Sequence, residues 1–178
     1  MVAGSARGRR LDAPPGDATR PTSDRVRQAI FNALHSLGAL DGARVIDAFA
    51  GSGALGIEAM SRGAAQVTFA EPDPTARSVV VANLATTGLA DRAVVLSGDG
   101  QRAIAGDGPW DLILLDPPYS FDQWGELLEV VATTLAPDGV VVVESDREIA
   151  LPETLAVLRM KQYGGTVVMF VTPTGACS

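Results

Sequence analysis

Between residues 44 and 144 five short apolar runs alternate with helical patterns, and the chain then closes on two further strands only a few residues apart. Residues 44–49, 66–70, 93–97, 111–115 and 140–144 read as strands. Residues 53–62, 74–87, a short stretch after Asp99 and residues 121–135 read as the helices between them. Strands joined through helices run parallel, because each helix returns the chain to the edge it left, and the helices cover both faces of the sheet. The run Val140-Val141-Val142-Val143 has no polar alternation, as expected of a strand buried on both sides. Residues 155–161 and 166–172 are two more apolar strands with Tyr163-Gly164-Gly165 between them. That connection is too short for a helical crossover, so this last pair is expected to be antiparallel. The pattern predicts an α/β fold: a mostly parallel seven-stranded sheet with a C-terminal antiparallel hairpin and helices on both faces.

The first strand runs into Asp47-Ala48-Phe49-Ala50-Gly51-Ser52-Gly53-Ala54-Leu55-Gly56, a G-x-G-x-x-G turn opening a helix, and Glu71 follows Gly51 by 20 residues. Alone, that is the dinucleotide fingerprint, with the acid on a ribose. Asp47 argues against it, because a pyrophosphate in the turn would meet a fixed negative charge. Asp47, Glu71, Asp99 and Asp116 stand at the ends of four successive strands. Such a series suits a cationic ligand bearing a ribose and an amino group, as S-adenosylmethionine does with its sulfonium and α-amino group. With the reversed hairpin, this points to a Rossmann-like class I methyltransferase rather than an NAD or FAD protein. Ala50, Gly51, Ser52 and Gly53 are expected to carry the backbone around the methionine portion, Asp47 to lie near the amino group, and Glu71 to accept from the ribose hydroxyls. Asp99 and Gly100 are expected at the adenine. Glu71 read as a solvated loop acid, or Asp99 as a helix N-cap, would explain each residue singly.

The fourth strand, Leu112-Ile113-Leu114-Leu115, ends in Asp116-Pro117-Pro118-Tyr119. An exocyclic amine of a nucleobase is a poor nucleophile, since its lone pair is delocalised into the ring. Methylating it requires acceptors for both N–H groups and a flat surface to hold the base. Asp116 and the Pro117 carbonyl can supply the acceptors. The prolines fix φ and offer no competing donor, and Tyr119 supplies a stacking ring. Trp124 could cover a base, but packing its helix on the sheet is the preferred reading. Glu144 ends the fifth strand on the same edge, and Asn83 reads as structural. The tetrapeptide serves guanine and adenine chemistry alike. It leaves open an adenine-N6 methyltransferase on RNA or DNA, and a non-catalytic cofactor-binding assembly factor.

At 178 residues with 47% apolar and 20% charged composition, one globular domain is expected, with no run of apolar residues long enough to cross a membrane. Arginines near the start have no apolar run behind them, so no secretory signal is expected and the cytoplasm is the inferred location. One cysteine, Cys177, and one histidine, His35, leave no metal cluster to expect; His35 reads as a surface or packing residue on a helix over residues 25–37, with Thr22 or Ser23 as its cap. The net charge of −7 disfavours a nucleic-acid partner until its distribution is considered. Residues 1–34 hold six arginines against three aspartates, a net of +3, and the remainder carries −10. A basic arm over residues 1–22, with a possible β-hairpin at Gly8-Arg9-Arg10-Leu11, thus precedes an acidic body over 23–178. Arg7, Arg9, Arg10, Arg20 and Arg25 are the expected phosphate contacts; Arg27 reads as part of an ordinary charged helix face.

Several segments together resemble a known family. They are Ala3-Gly4 with Arg7-Gly8-Arg9-Arg10-Leu11, Arg20-Pro21-Thr22-Ser23-Asp24-Arg25-Val26-Arg27, the glycine turn continuing through Ile57-Glu58-Ala59-Met60-Ser61-Arg62-Gly63-Ala64, Asp116-Pro117-Pro118-Tyr119, and Tyr163-Gly164. The chain is similar through them to the bacterial 16S rRNA guanine-N2 methyltransferases of the RsmD type. Gln28 and Ala48 depart from the usual pattern, away from the expected chemistry. The resemblance implies S-adenosylmethionine as cofactor, methylation of N2 of one guanine in 16S rRNA, and the small ribosomal subunit or its assembly intermediate as substrate. A monomer without metal or membrane association is expected. Asp116, Pro117 and Tyr119 carry the expected catalytic roles.

Overall fold

The computed structural model describes residues 1–15 and 23–175. Helix α1 (Asp24–Ser36) is followed by β1 (Arg44–Asp47), α2 (Ala54–Ser61), β2 (Gln66–Ala70), α3 (Pro74–Thr87), β3 (Ala93–Leu96), α4 (Gly100–Gly106), β4 (Trp110–Leu115), α5 (Trp124–Thr134), β5 (Leu135–Ser145), β6 (Leu155–Tyr163) and β7 (Thr166–Pro173). Local chemistry sets the helix starts. Ser23 caps α1 by accepting from the Val26 amide, so of the two cap candidates Ser23 takes the role; Thr22 lies outside the described residues. Asp73 caps α3 with Pro74 in its first turn, and Gly88 ends that helix in the left-handed region.

The seven strands form one sheet in the order β3-β2-β1-β4-β5-β7-β6. β1 to β5 pair in parallel, while β7 runs antiparallel to both β5 and β6. The reversed strand is therefore inserted between β5 and β6. From β1 the chain proceeds outward through β2 and β3, then returns to lay β4 on the other side of β1. This reversal of direction opens a crevice at the C-terminal ends of β1 and β4, where open α/β sheets bind ligands.

Successive residues along the central strands alternate between two cores. Val45, Leu112, Leu114, Val140, Val142, Val168 and Phe170 pack with α1, α2 and α3. Ile46, Ile113, Leu115, Val141, Val143, Met169 and Val171 pack with α4 and α5. The strands are buried on both faces, which is why their sequences read as unbroken apolar runs.

Two expectations need correction, and a third, half of a possible hairpin, has its second half outside the described residues. Strand β5 is longer than the valine run, because Trp110 pairs with Leu135 and draws the strand back to the end of α5. Strand β6 is apolar in sequence yet largely exposed, since it occupies the sheet edge; Val157, Leu158 and Met160 all face solvent. The hairpin at Gly8-Arg9-Arg10-Leu11 is absent among the described residues, where residues 3–8 form turns instead. Those turns are docked on α2. The Val2 and Ala3 amides donate to the Glu58 carboxylate, and Ser5 and Ala6 donate to the Ser61 carbonyl and hydroxyl. No helix among the described residues is long and apolar enough to cross a membrane.

Candidate active site

The glycine turn leaves β1 through two residues with positive φ, Gly51 at 53° and Gly53 at 79°, a region that other residues avoid. Gly56 serves packing: a Cβ there would stand 2.3 Å from the Phe69 ring, so α2 lies against β2 only because the side chain is missing. Two acids brace the turn from below. Asp47 is almost fully buried and accepts from the Gly56 amide at 2.9 Å. Glu71 accepts from the Gly51 amide through one oxygen and from Asp73 through the other, both at 2.9 Å. Each carboxylate thus shapes the loop as well as facing the crevice, a role that spacing alone did not reveal. A carboxylate oxygen has two lone pairs, so Glu71 retains capacity to accept from ribose hydroxyls.

The strand order places the four acids in the spatial series Asp99, Glu71, Asp47, Asp116, at the C-terminal ends of β3, β2, β1 and β4. Burial raises the Asp47 carboxyl to about 7, against the pull of the Gly56 amide, and the nearby Asp116 and Glu71 charges push it further the same way. Among the described residues no lysine or arginine forms an ion pair with Asp47 or Glu71. The nearby Arg77 guanidinium is spent on the backbone carbonyls of Glu71 and Pro72. Asp99 caps α4 through the Arg102 amide and sits on the rim of a hollow of about 540 Å³, whose floor includes Gly100, Phe49 and Phe121. Gly100 is required there, since a Cβ would lie 2.2 Å from the Ala48 carbonyl oxygen. The cap role and a place at the hollow hold together for Asp99.

Beyond β4, Pro117 is buried, Asp116 half-buried, and Tyr119 45% exposed with its hydroxyl 3.3 Å from that of Thr166 at the start of β7. The reversed strand thus anchors the Tyr119 hydroxyl while its ring remains accessible. Phe49, Phe121 and Trp124 form an edge-to-face chain, with ring centres 5.5 and 5.3 Å apart. Trp124 is buried in the α5 core, the packing role preferred for it. Phe49 and Phe121 were not singled out in the sequence, where one reads as the end of a strand and the other as the start of a helix. Glu144 is buried at the end of β5, opposite Val168 in the pairing with β7.

Arg7, Arg9, Arg10 and Arg25 are exposed; Arg20 lies outside the described residues, as does Cys177. His35 is on the surface. Arg27 departs from expectation. It is buried, binds Asp24 at 2.6 Å, and brings its Nε to 3.9 Å from Glu58, which also binds Arg62 at 2.7 Å. Glu58 is fully buried and needs these cations to offset its desolvation. Asn83 is structural, and more tightly held than its position in α3 implied. Its side-chain amide exchanges two hydrogen bonds with the Asp12 backbone and donates a third to the Ser52 carbonyl. No group of acids, histidines and cysteines among the described residues could hold a metal ion.

S-adenosylmethionine fits these residues: Asp47 and Glu71, with no ion-paired lysine or arginine among the described residues, lie beside the glycine turn, and a hollow lined by Phe49 and Phe121 adjoins Asp99. A pyrophosphate would add negative charge to Asp47, Glu71 and Asp116. The family model described as "Conserved hypothetical protein 95" matches residues 1–172. The chain is 40% identical to YlbH of Bacillus subtilis over 98% of its length and 99% of that protein's. It is 37% identical to ribosomal RNA small subunit methyltransferase D of Escherichia coli strain K12, over 85% of this chain and 77% of that one. The solved structure of yhhF from Escherichia coli superposes with a TM-score of 0.85 at 34% identity, covering 97% of this chain and 96% of the other. The chain therefore belongs to the conserved hypothetical protein 95 family, the RsmD family of class I rRNA methyltransferases.

Proposed function

We propose that this protein transfers the methyl group of S-adenosylmethionine to the exocyclic N2 amine of one guanine in the 16S rRNA of the bacterial small ribosomal subunit. The observation that carries the reading is the junction at the crevice. Asp116-Pro117-Pro118-Tyr119 leaves β4 directly beside the glycine turn that leaves β1, so a base held by the first meets a ligand held by the second. Bound there, S-adenosylmethionine supplies an electrophilic methyl group on a positively charged sulfur. Asp47, Glu71, Asp99 and the backbone of Ala50, Gly51, Ser52, Gly53 and Gly100 bind and orient it. The Asp116 carboxylate and the Pro117 carbonyl accept the two N–H groups of the amine, which turns its lone pair away from conjugation with the ring. As the nitrogen gains a carbon it must lose a proton, and the Asp116 carboxylate is the adjacent oxygen able to take it. Tyr119 supports the base face, and Arg7, Arg9, Arg10, Arg20 and Arg25 hold rRNA phosphates. Catalysis comes from alignment and electrostatics, with no covalent bond to the enzyme. The protein works as a monomer in the cytoplasm, on the assembled or assembling subunit.

Incubating small subunits that lack the modification with methyl-tritiated donor tests this. Label in 16S rRNA, recovered by mass analysis as N2-methylguanosine, is the expected result. N6-methyladenosine would move the reading to adenine, and no transfer would leave a binding protein only. In the Asp116→Ala variant turnover should fall by at least about a hundredfold while S-adenosylhomocysteine still binds. Near-normal turnover there would remove Asp116 from the chemistry.

A further inference from the structure

The N-terminal arm and the glycine turn are far apart in sequence and belong, in the reading above, to two different ligands. A single buried side chain joins them. Asn83 lies in the middle of α3 with 1% of its surface exposed. Its Oδ1 accepts from the Asp12 amide at 2.8 Å, and its Nδ2 donates to the Asp12 carbonyl at 2.9 Å and to the Ser52 carbonyl at 2.9 Å. Both amide hydrogens are used, and the two bonds to Asp12 mimic one rung of a β-ladder. Asp12 is two residues from Arg10 and three from Arg9. Ser52 lies between Gly51 and Gly53, the two positive-φ residues of the turn. Each loop therefore shares a partner in Asn83, whose own side chain is buried although Asp12 is exposed and Ser52 half-buried.

We propose that Asn83 is a positioning residue that couples the two binding events, so that ligand in the glycine turn and RNA on the arginine arm strengthen each other. The coupling rests on the assignment of S-adenosylmethionine to the turn and rRNA to the arm. A ligand that fixes Ser52 fixes the acceptor for Nδ2, and so holds the Asn83 amide in the orientation that Asp12 requires. RNA that fixes the arm does the same in the opposite direction. Ordering of one loop then lowers the entropic cost of ordering the other. Linkage requires the two effects to be equal in size.

The test measures affinity for S-adenosylhomocysteine and for unmodified small subunits, each alone and with the other saturating. In the wild-type protein each should raise the affinity for the other by the same factor, about 5-fold or more. In Asn83→Leu, which keeps the branched shape but not the polarity and removes all three bonds, that factor should fall towards one. Asp12→Pro removes the Asp12 amide together with its carboxylate and changes no residue of α3 or the glycine turn, so it carries the test if Asn83→Leu does not fold. It should lower the factor while leaving the affinity for S-adenosylhomocysteine alone nearly unchanged. A purely structural Asn83 would weaken both affinities and keep their ratio. A wild-type factor of one, or a factor that survives in the foldable variants, overturns the coupling. Failure of the wild-type protein to bind either ligand at all would instead sink the functional reading on which the coupling depends.

Discussion

Asp47 illustrates how a single buried carboxyl can brace a turn and oppose folding together. Its carboxyl is raised to about 7 by burial, with Asp116 and Glu71 adding to the effect. Between the ordinary carboxylate range and pH 7 the folded state therefore keeps a proton that the unfolded chain has released. Stability falls as pH rises through that window, by on the order of a few kcal/mol, and the full cost is present above pH 7. Asp47→Asn retains an oxygen to accept from the Gly56 amide and cannot ionise. Its urea midpoint should gain on the wild type from pH 4 to pH 8, and parallel pH profiles would show that Asp47 does not carry the charge burden. At Gly100 the constraint is steric. A Cβ would press on the Ala48 carbonyl and on the Ala48 methyl at 2.9 Å, so Gly100→Ala should cost about 1–3 kcal/mol and weaken S-adenosylhomocysteine binding, as calorimetry and thermal melts can measure. Asp47, Glu71, Asp99 and Asp116 were legible in the sequence because each ends a strand. The N-cap role of Asp99 was legible too, but what Asp47 and Glu71 bind was not, since the Gly56 and Gly51 amides reach them only once the turn has closed.

Helix α2 acts as a platform for the chain that precedes it. Its Glu58, fully buried itself, receives the Val2 and Ala3 amides and lies against the guanidinium groups of the half-buried Arg62 and the buried Arg27. Removing one partner of a buried charge cluster leaves the others unpaired, at a cost of about 3–5 kcal/mol. Glu58→Ala should lose that much stability in urea unfolding and should release residues 1–10, seen as faster amide exchange at Val2 and Ala3. Unchanged exchange at those amides would place the anchor elsewhere. Val26, Ile30, Ala33 and Leu34 recur at helical spacing along α1 and form its buried face; Leu37 falls beyond the last turn and is exposed. The same pattern assigned Arg27 to solvent. It failed there because a periodicity cannot register a carboxylate supplied by another helix.

At the scale of the whole molecule, charge is divided. Residues 35–178 carry a net of −10, which repels RNA, while the first 34 residues carry +3 and present Arg7, Arg9, Arg10 and Arg25 to solvent. Binding should therefore be local to the arm and strongly dependent on salt. Reversing Arg9 and Arg10 to glutamate should weaken binding to small subunits and reduce the slope of log affinity against log salt by about 0.7–0.9 for each phosphate that is no longer neutralised. An unaltered slope would mean that these arginines touch no phosphate. The sequence by itself determined the strand–helix alternation, the reversed last strand and the line of acids at the strand ends, because hydrophobic period and connection length are local properties of the chain. Only the tertiary structure decided that β7 inserts between β5 and β6, that β6 becomes an exposed edge, and that Glu58 and Asn83 tie the arm to the body. Those outcomes depend on partners dozens of residues away, whose proximity exists only after the sheet has formed.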